Sequence, residues 1–430
     1  MRSLIEALST RGQSLAGNPA RVDFELFYEA AQNRYHAQNN PNGAFPLNVA
    51  ENAVSSPIIQ GYFDKAMKQS LPEWTLKYTD SRGHPEVREA VAAFMQRHFE
   101  CPSITADSLA FSAGASASLE VASFVLADSG DVVAIPAPSY PMYTKDLGVK
   151  SGMERYDIQT HTDIEEEESL ALLQVADLDR ALKDIKSQGK RFRLLMLTSP
   201  DNPTGAIYDY TRLEEIADWC IQNQVHLIVN EIYAQSIINV EDPVVAEDFE
   251  QLPTYTSFAS VIAKRQSDYL HLIYALSKDF AISGFRFGII HSLNEHFMQG
   301  VGNTNIPHMV SNVAQWLVGM LFDNREFVSE YIQVNQYNLT ESYKVAIEGL
   351  RRMGIPYAPI RGSLFIWADF SKFLKEDSEE GEEALWIDIY QKTGVLLTPG
   401  AGFRHRKHGL FRLVYSAVTQ DELRVVMSRL

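Results

Sequence analysis

The chain has 430 residues, 45% hydrophobic and 22% charged, an ordinary globular composition with room for two domains and sizeable cores. Its formal net charge of -17 argues against sequence-independent nucleic-acid binding and against docking on anionic membranes, so any anionic ligand must be met by local positive groups. Two cysteines, Cys101 and Cys220, are too few for a disulfide framework, no run reaches the roughly eighteen apolar residues of a membrane span, and Met1 to Arg11 lacks the apolar stretch of a signal peptide; a cytoplasmic location is expected.

Residues 1–45 are broken by Gly12, Gly17, Pro19, Pro41 and Gly43 and read as an N-terminal arm, in which Phe24 to Ala37 could be helical. Pro46 to Asn52 reads as a short strand ending in polar groups, and Pro57 to Gln69 as a helix. Lys77 to Gly83 is a turn-rich loop, followed by a helix from Pro85 to His98 with proline in its first turn. Ser108 to Ser112 is a strand that runs into Gly114-Ala115-Ser116-Ala117, and apolar residues at helical spacing follow to Leu126. Small residues at such a junction leave backbone N–H groups free for a phosphate, although a plain tight turn has the same pattern. Asp131 to Ile135 is a further strand, closed by Pro136-Ala137-Pro138-Ser139-Tyr140-Pro141. The acidic run Asp163 and Glu165 to Glu168 reads as a solvated insertion, since nothing paces its carboxylates around a metal.

Phe192 to Thr198 is a strand ending in Ser199-Pro200-Asp201-Asn202-Pro203-Thr204-Gly205. Thr211 with Glu214 predicts a capping box for a helix through Gln222. The strand Val225 to Val229 leads to Asn230-Glu231-Ile232-Tyr233, and Leu270 to Ala275 and Phe287 to His291 complete the set. Strands alternating with helices predict an α/β fold, a mostly parallel sheet sandwiched by helices. Beyond residue 305 the pattern changes to long helices, Ala314 to Phe322 and Phe327 to Met353, that could bridge two domains. A strand from Ser363 to Phe370, a helix from Glu382 to Thr393, strands Val395 to Pro399 and Leu410 to Tyr415, and a helix from Thr419 to Leu430 close the chain. The expected organisation is an arm (1–45), a small-domain part (46–75), a large cofactor-binding domain (76–305), and interdomain helices with a small C-terminal α/β domain (306–430). His405, Arg406, Lys407 and His408 form a basic loop that reads as a solvated turn, with contact to a large or anionic substrate near Arg412 as the alternative; two histidines without carboxylates nearby do not make a zinc site, and no metal site is expected.

The chemistry concentrates between Tyr274 and Gly288. Lys278 follows a buried strand, at the sheet end where α/β folds place ligands. Arg286, between Gly284 and Gly288, can grip an anion with a planar fork. A lysine amine beside an anion site is what a Schiff-base cofactor carrying a phosphate needs; a surface Lys and Arg flanking a loop is the plainer alternative.

Taken together, Ala50-Glu51-Asn52, Gly114-Ala115-Ser116, Pro138-Ser139-Tyr140-Pro141, Asn202-Pro203-Thr204-Gly205, Glu231-Ile232-Tyr233, Ser277-Lys278, Gly284-Phe285-Arg286 and Phe411-Arg412 decide between them. In order and spacing the chain resembles the pyridoxal-phosphate-dependent class I/II aminotransferase family (fold type I), and within it the members similar to 1-aminocyclopropane-1-carboxylate synthase. The resemblance implies pyridoxal 5'-phosphate as cofactor, an amino-acid-like substrate, and a homodimer with shared active sites. It implies that Lys278 holds the cofactor as a Schiff base and later moves the substrate α-proton, and that Ser277 adjoins it. Ala115 and Ser116 would cradle the phosphate that Arg286 neutralises, Tyr140 would stack on the ring, and Asn202 and Tyr233 would bond its phenolic oxygen. Arg412 would clamp the substrate carboxylate, with Glu51 beside it, and Tyr78 would reach a phosphate across the dimer interface.

Three departures bear on the reaction. Asn230 stands where the family has an Asp that keeps the pyridine nitrogen protonated; an amide donates a hydrogen bond but holds no charge there. Ala275 stands where a serine often serves the phosphate, and Ser81 where the cyclopropane-forming synthases carry a tyrosine. A weakened electron sink disfavours transamination most, so the expectation leans to lyase-type chemistry, β- or γ-elimination, carbon–sulfur cleavage or a related substitution. An aminotransferase is the alternative, and a cofactor-binding protein without catalysis a further one.

Overall fold

The computed structural model describes residues 7–17, 21, 23–160 and 172–430. The acidic run at 163–168 lies outside the described residues. In chain order the strands are β1 (Phe45–Pro46), β2 (Leu109–Ala113), β3 (Val132–Ala137), β4 (Glu154–Gln159), β5 (Phe192–Thr198), β6 (His226–Asn230), β7 (Leu270–Ala275), β8 (Phe287–Ser292), β9 (Ile366–Asp369), β10 (Val395–Leu396) and β11 (Leu410–Leu413).

Seven of these form one sheet in the order β2-β8-β7-β6-β5-β3-β4. Strands β4, β3, β5, β6 and β7 run parallel, and β8 is antiparallel to both of its neighbours. Every residue of β6, β7 and β8 is buried, as expected for strands covered by helices on both faces. The apolar residues of these strands divide between the two faces: Leu227, Val229, Leu270 and Leu272 join one core, Ile228 and Ile273 the other. The mostly parallel α/β sheet expected from the alternation of elements is therefore the fold of the chain.

Register brings the chemistry to one edge of this sheet. Thr198 at the end of β5 pairs with Asn230 at the end of β6, which pairs with Ile273 on β7. Ala275, the last residue of β7, and Ser112 on β2 flank Gly288 of β8 from its two sides. The loops that leave these ends carry Asn202, Tyr233, Lys278 and Gly114.

A further core gathers around two small sheets, a parallel β1–β10 pair and an antiparallel β9–β11 pair. The helix Arg325–Met353 serves both cores: Val328, Tyr331 and Ile332 pack with the large sheet, and Leu339, Tyr343 and Leu350 with the small ones. It starts on Asn324, whose side chain accepts from Phe327 N, and stops at Gly354, φ 61°.

Most elements read from the sequence lie within a few residues of their observed bounds, but the strand expected over Pro46 to Asn52 is only Phe45–Pro46, and the residues after it form turns. The helix predicted to start at Thr211 spans Tyr210–Asn223 and is capped by Asp209, whose carboxylate accepts from Arg212 N at 2.8 Å. A carboxylate at the positive helix end outdoes the Thr211 hydroxyl as a cap, and Glu214 turns to Tyr210, Lys264 and Arg265 instead. The arm helix stops at Gln32, not Ala37. Strand β4 and the helix Val175–Ser187 were not anticipated: β4 is an edge strand of mixed polarity, without an apolar run to announce it.

Candidate active site

A cavity of about 370 Å3 opens at the carboxyl ends of the parallel strands. Its lining includes Glu51, Ala115, Ser116, Tyr140, Asn202, Asn230, Tyr233, Ser277, Lys278, Arg286 and Arg412, all singled out in the sequence. These residues come from positions as far apart as 51 and 412, and the fold brings them to one place.

Lys278 follows β7 on the short helix Leu276–Asp279. Its amine donates to the carbonyl oxygen of Ala50, and its own carbonyl accepts from Asn52 Nδ2 at 3.2 Å. Burial pushes the amine down to about 8; Glu51 opposes this, and Arg412 and Arg286 assist it. A lysine so placed is partly neutral near neutral pH, as a nucleophilic amine must be.

Arg286 sits at φ 52° just before β8. Its Nη1 donates to Ser283 O at 3.0 Å and its Nη2 to Ala113 O at 3.3 Å. Gly114 precedes the helix Ala115–Leu126 at φ 92°, and a Cβ there would stand 2.4 Å from Arg286 Nη2. Gly288 is equally confined, since a Cβ on it would meet the Gly114 backbone at 2.5 Å. Glycine is thus required at 114 both for its backbone conformation and for the approach of the guanidinium. Helix N–H groups and a guanidinium converge there, a place made for a phosphate. The Ser116 hydroxyl donates to Asp146 at 3.0 Å, and burial pushes that carboxyl up to about 6.

On the opposite side, Arg412 of β11 is 2% exposed. It donates to Asn202 Oδ1 at 2.9 Å and to Asn48 O at 2.9 Å, while its Nε has no partner among the described residues. A buried guanidinium with an orphaned N–H is costly on its own and suits an incoming carboxylate. Phe365 and Phe403 lie against its two sides, 4.9 and 5.2 Å from ring centre to guanidinium carbon. Glu51 accepts from the Ser283 hydroxyl at 2.9 Å. Burial holds the Tyr233 hydroxyl neutral, well above its ordinary range.

Asn230 is oriented by its neighbours. Its Oδ1 accepts from Ile232 N at 3.2 Å, so its amide nitrogen points to the hydroxyl of Tyr143, 3.1 Å away. Tyr143 in turn bonds Thr198 at 2.6 Å. Tyr143, Thr198, Asp146, Ser283, Phe24 and Arg21 also line the cavity, and none was anticipated from the sequence. Tyr143 and Asp146 were within reach, being three and six residues beyond Tyr140, on the short helix Tyr143–Gly148; Arg21 sits in an arm with no periodic signal.

Two residues stand apart. Tyr78 is fully exposed and outside the cavity. Ser81 donates to Gly302 O at 2.6 Å and lines a different surface groove. In the basic loop, Lys407 pairs with Asp369 and His408 with Asp377, so carboxylates do lie near, contrary to expectation; still, among the described residues no cluster suited to a metal occurs. No helix among them is long and apolar enough to cross a membrane.

The fold and cavity define a class: an α/β enzyme built around a buried lysine between Arg286 at a glycine-flanked helix start and the buried Arg412. The family model for aminotransferase class I and II matches residues 46–430, and the chain belongs to that family, whose cofactor is pyridoxal phosphate. Similar curated proteins include 1-aminocyclopropane-1-carboxylate synthase 7 of Arabidopsis thaliana, 26% identical over 93% of this chain and 89% of that one. 1-Aminocyclopropane-1-carboxylate synthase 1 of Prunus mume is 28% identical over 93% and 80%. Among solved structures, a double mutant of Thermus thermophilus aspartate aminotransferase superposes with a TM-score of 0.78 at 21% identity, covering 100% of this chain and 99% of that one. The residues present fit pyridoxal phosphate: the cradle that a Cβ would fill, the depressed lysine amine and the orphaned Arg412 Nε each answer a part of the cofactor or its substrate. When bound, that group lends its electron-withdrawing ring to the α-carbon of an amino acid.

Proposed function

We propose that this enzyme removes the α-proton of an amino-acid substrate and proceeds by lyase-type chemistry, β- or γ-elimination, carbon–sulfur cleavage or a related substitution. The observation that carries the reading is Asn230, whose fixed amide offers a hydrogen-bond donor and no negative charge at the floor of the cavity. Lys278 holds the cofactor and moves the proton, as its depressed basicity suits it to do. Ala115, Ser116 and Arg286 hold the phosphate, with Ser277 beside them; Tyr140 covers the ring; Asn202 and Tyr233 bond its phenolic oxygen. Arg412 orients the substrate carboxylate and Glu51 flanks it. The relatives named as 1-aminocyclopropane-1-carboxylate synthases support the lean to elimination. The solved neighbours support the fold alone, so aminotransfer remains the second reading.

The active form is a homodimer, to which the fully exposed Tyr78, with exposed Leu76 and Ile306, contributes, Tyr78 reaching the partner's phosphate site. Two buried free cysteines suit the cytoplasm. The core of the small sheets draws on residues from both ends of the chain and supports a small domain built from both, although Ile59, Phe63 and Ala66 join a core of the large sheet.

The test is a mass-spectrometric product screen with amino acids and S-substituted cysteines, with and without a keto-acid acceptor. Keto acid and ammonia formed without acceptor are expected. Strict dependence on an acceptor would establish aminotransfer instead.

A further inference from the structure

We propose that Arg21 is a second anion-binding group of the substrate pocket, and that the substrate is an amino acid carrying an anionic group beyond its α-carboxylate. The proposal rests on the reading of Arg412 as the α-carboxylate clamp.

Arg21 belongs to the N-terminal arm, outside the residues that the family model matches, yet it lines the cavity. Its Nη2 donates to the carbonyl oxygen of Asn48 at 3.1 Å, and Arg412 Nη2 donates to the same oxygen at 2.9 Å. Two guanidiniums therefore converge on one acceptor. They repel, and Arg21 is the neighbouring charge that most lowers the basicity of Arg412 after burial itself. Such a pair is stabilised by anions, and the chain provides one, on one side only. Asp23, 2% exposed, takes Arg21 Nε at 2.8 Å and also its Nη2, and is itself held by Asn48 Nδ2 at 2.7 Å. Nη1 of Arg21 makes no hydrogen bond to the described residues. Asp23 and the Phe24 ring, 4.9 Å from the guanidinium carbon, thus fix the plane of the fork and leave Nη1 to donate elsewhere.

The charges of the cavity point the same way. Its lining among the described residues carries four cations, Arg21, Lys278, Arg286 and Arg412, against two carboxyl groups, Glu51 and Asp146. The cofactor phosphate engages Arg286, its aldehyde engages Lys278, and the α-carboxylate engages Arg412. Arg21, paired with Asp23 through Nε and Nη2, is the cation that remains beside the clamp, with Nη1 to offer a substrate.

The test is calorimetric titration of the pyridoxal-phosphate-loaded protein with butyrate, succinate, glutarate and adipate. At least one dicarboxylate is expected to bind about tenfold or more tightly than butyrate. Arg21→Met combined with Asp23→Asn removes both charges and strands no buried carboxylate; it should bring that ratio to about one with butyrate affinity retained. Asp23→Asn alone should raise the ratio, because it removes the competing anion. Equal binding of all four acids, or a preference that survives loss of Arg21, overturns the subsite. So does an equal loss for butyrate and dicarboxylates in the double variant, which would make the pair a prop for the arm. Failure of every acid to bind overturns the reading of Arg412, and the subsite with it.

Discussion

The amide nitrogen of Asn230 lies 3.1 Å from the hydroxyl of Tyr143, and this bond, with Ile232 N on the amide oxygen, fixes which end of Asn230 faces inward. Tyr143 is bonded in turn to Thr198 on the adjacent strand, so the floor of the cavity is a short neutral relay. A neutral relay provides no charge to keep a ring nitrogen protonated.

Asn230→Asp is expected to raise the share of turnovers that end as transamination, by about tenfold, because it restores a negative partner for the ring nitrogen. The Tyr143 hydroxyl can turn to donate to the new carboxylate, so the relay persists. The readout is the ratio of transamination to elimination products by mass spectrometry. An unchanged ratio would mean that residue 230 does not govern the chemistry at the ring.

Lys278 gives a pH signature in the cofactor-free protein. Only the neutral amine attacks an aldehyde, and this amine is pushed down to about 8. Capture of pyridoxal phosphate should therefore accelerate as pH rises and level off above about 8, whereas a free lysine would go on accelerating to about 10.4. Stopped-flow absorbance across this range checks it, and Lys278→Ala should leave no adduct after borohydride reduction. A midpoint near that of free lysine would remove the case for a desolvated nucleophile.

Gly114→Ala should loosen cofactor binding by about tenfold or more. The added Cβ would stand 2.4 Å from Arg286 Nη2 at a backbone φ of 92°, so the guanidinium or the helix start must shift. Equilibrium dialysis of the cofactor measures the effect. Wild-type affinity in the variant would show that Arg286 is not a phosphate ligand.

Asp209→Ala is expected to destabilise the fold by about 1 kcal/mol through loss of the bond to Arg212 N, and Thr211→Ala by about 0.5 kcal/mol or less. Thermal melts of the two variants rank them. A larger loss at Thr211 would reinstate the hydroxyl as the cap.

What the sequence determined by itself was local and combinatorial. Apolar runs such as Leu270 to Ala275 and Phe192 to Thr198 announce buried strands, because a strand covered on both faces has no polar side to interrupt the run. The motifs around Asn202 and Arg286 were legible because each couples a polar group to glycine or proline turns, and Lys278 and Arg412 became legible through their order and spacing relative to those motifs. Polar edges were less so: strand β4 has no apolar run, and the capping box read at Thr211 gave way to the Asp209 carboxylate once the helix start was placed. Only the tertiary structure could bring Tyr143 to Asn230, or Arg21 to the carbonyl that Arg412 already holds. Tyr143 and Asn230 are 87 positions apart, and Asn48 is 27 from Arg21 and 364 from Arg412; their meeting depends on strand register and on where the arm crosses the cavity, neither of which any local pattern encodes.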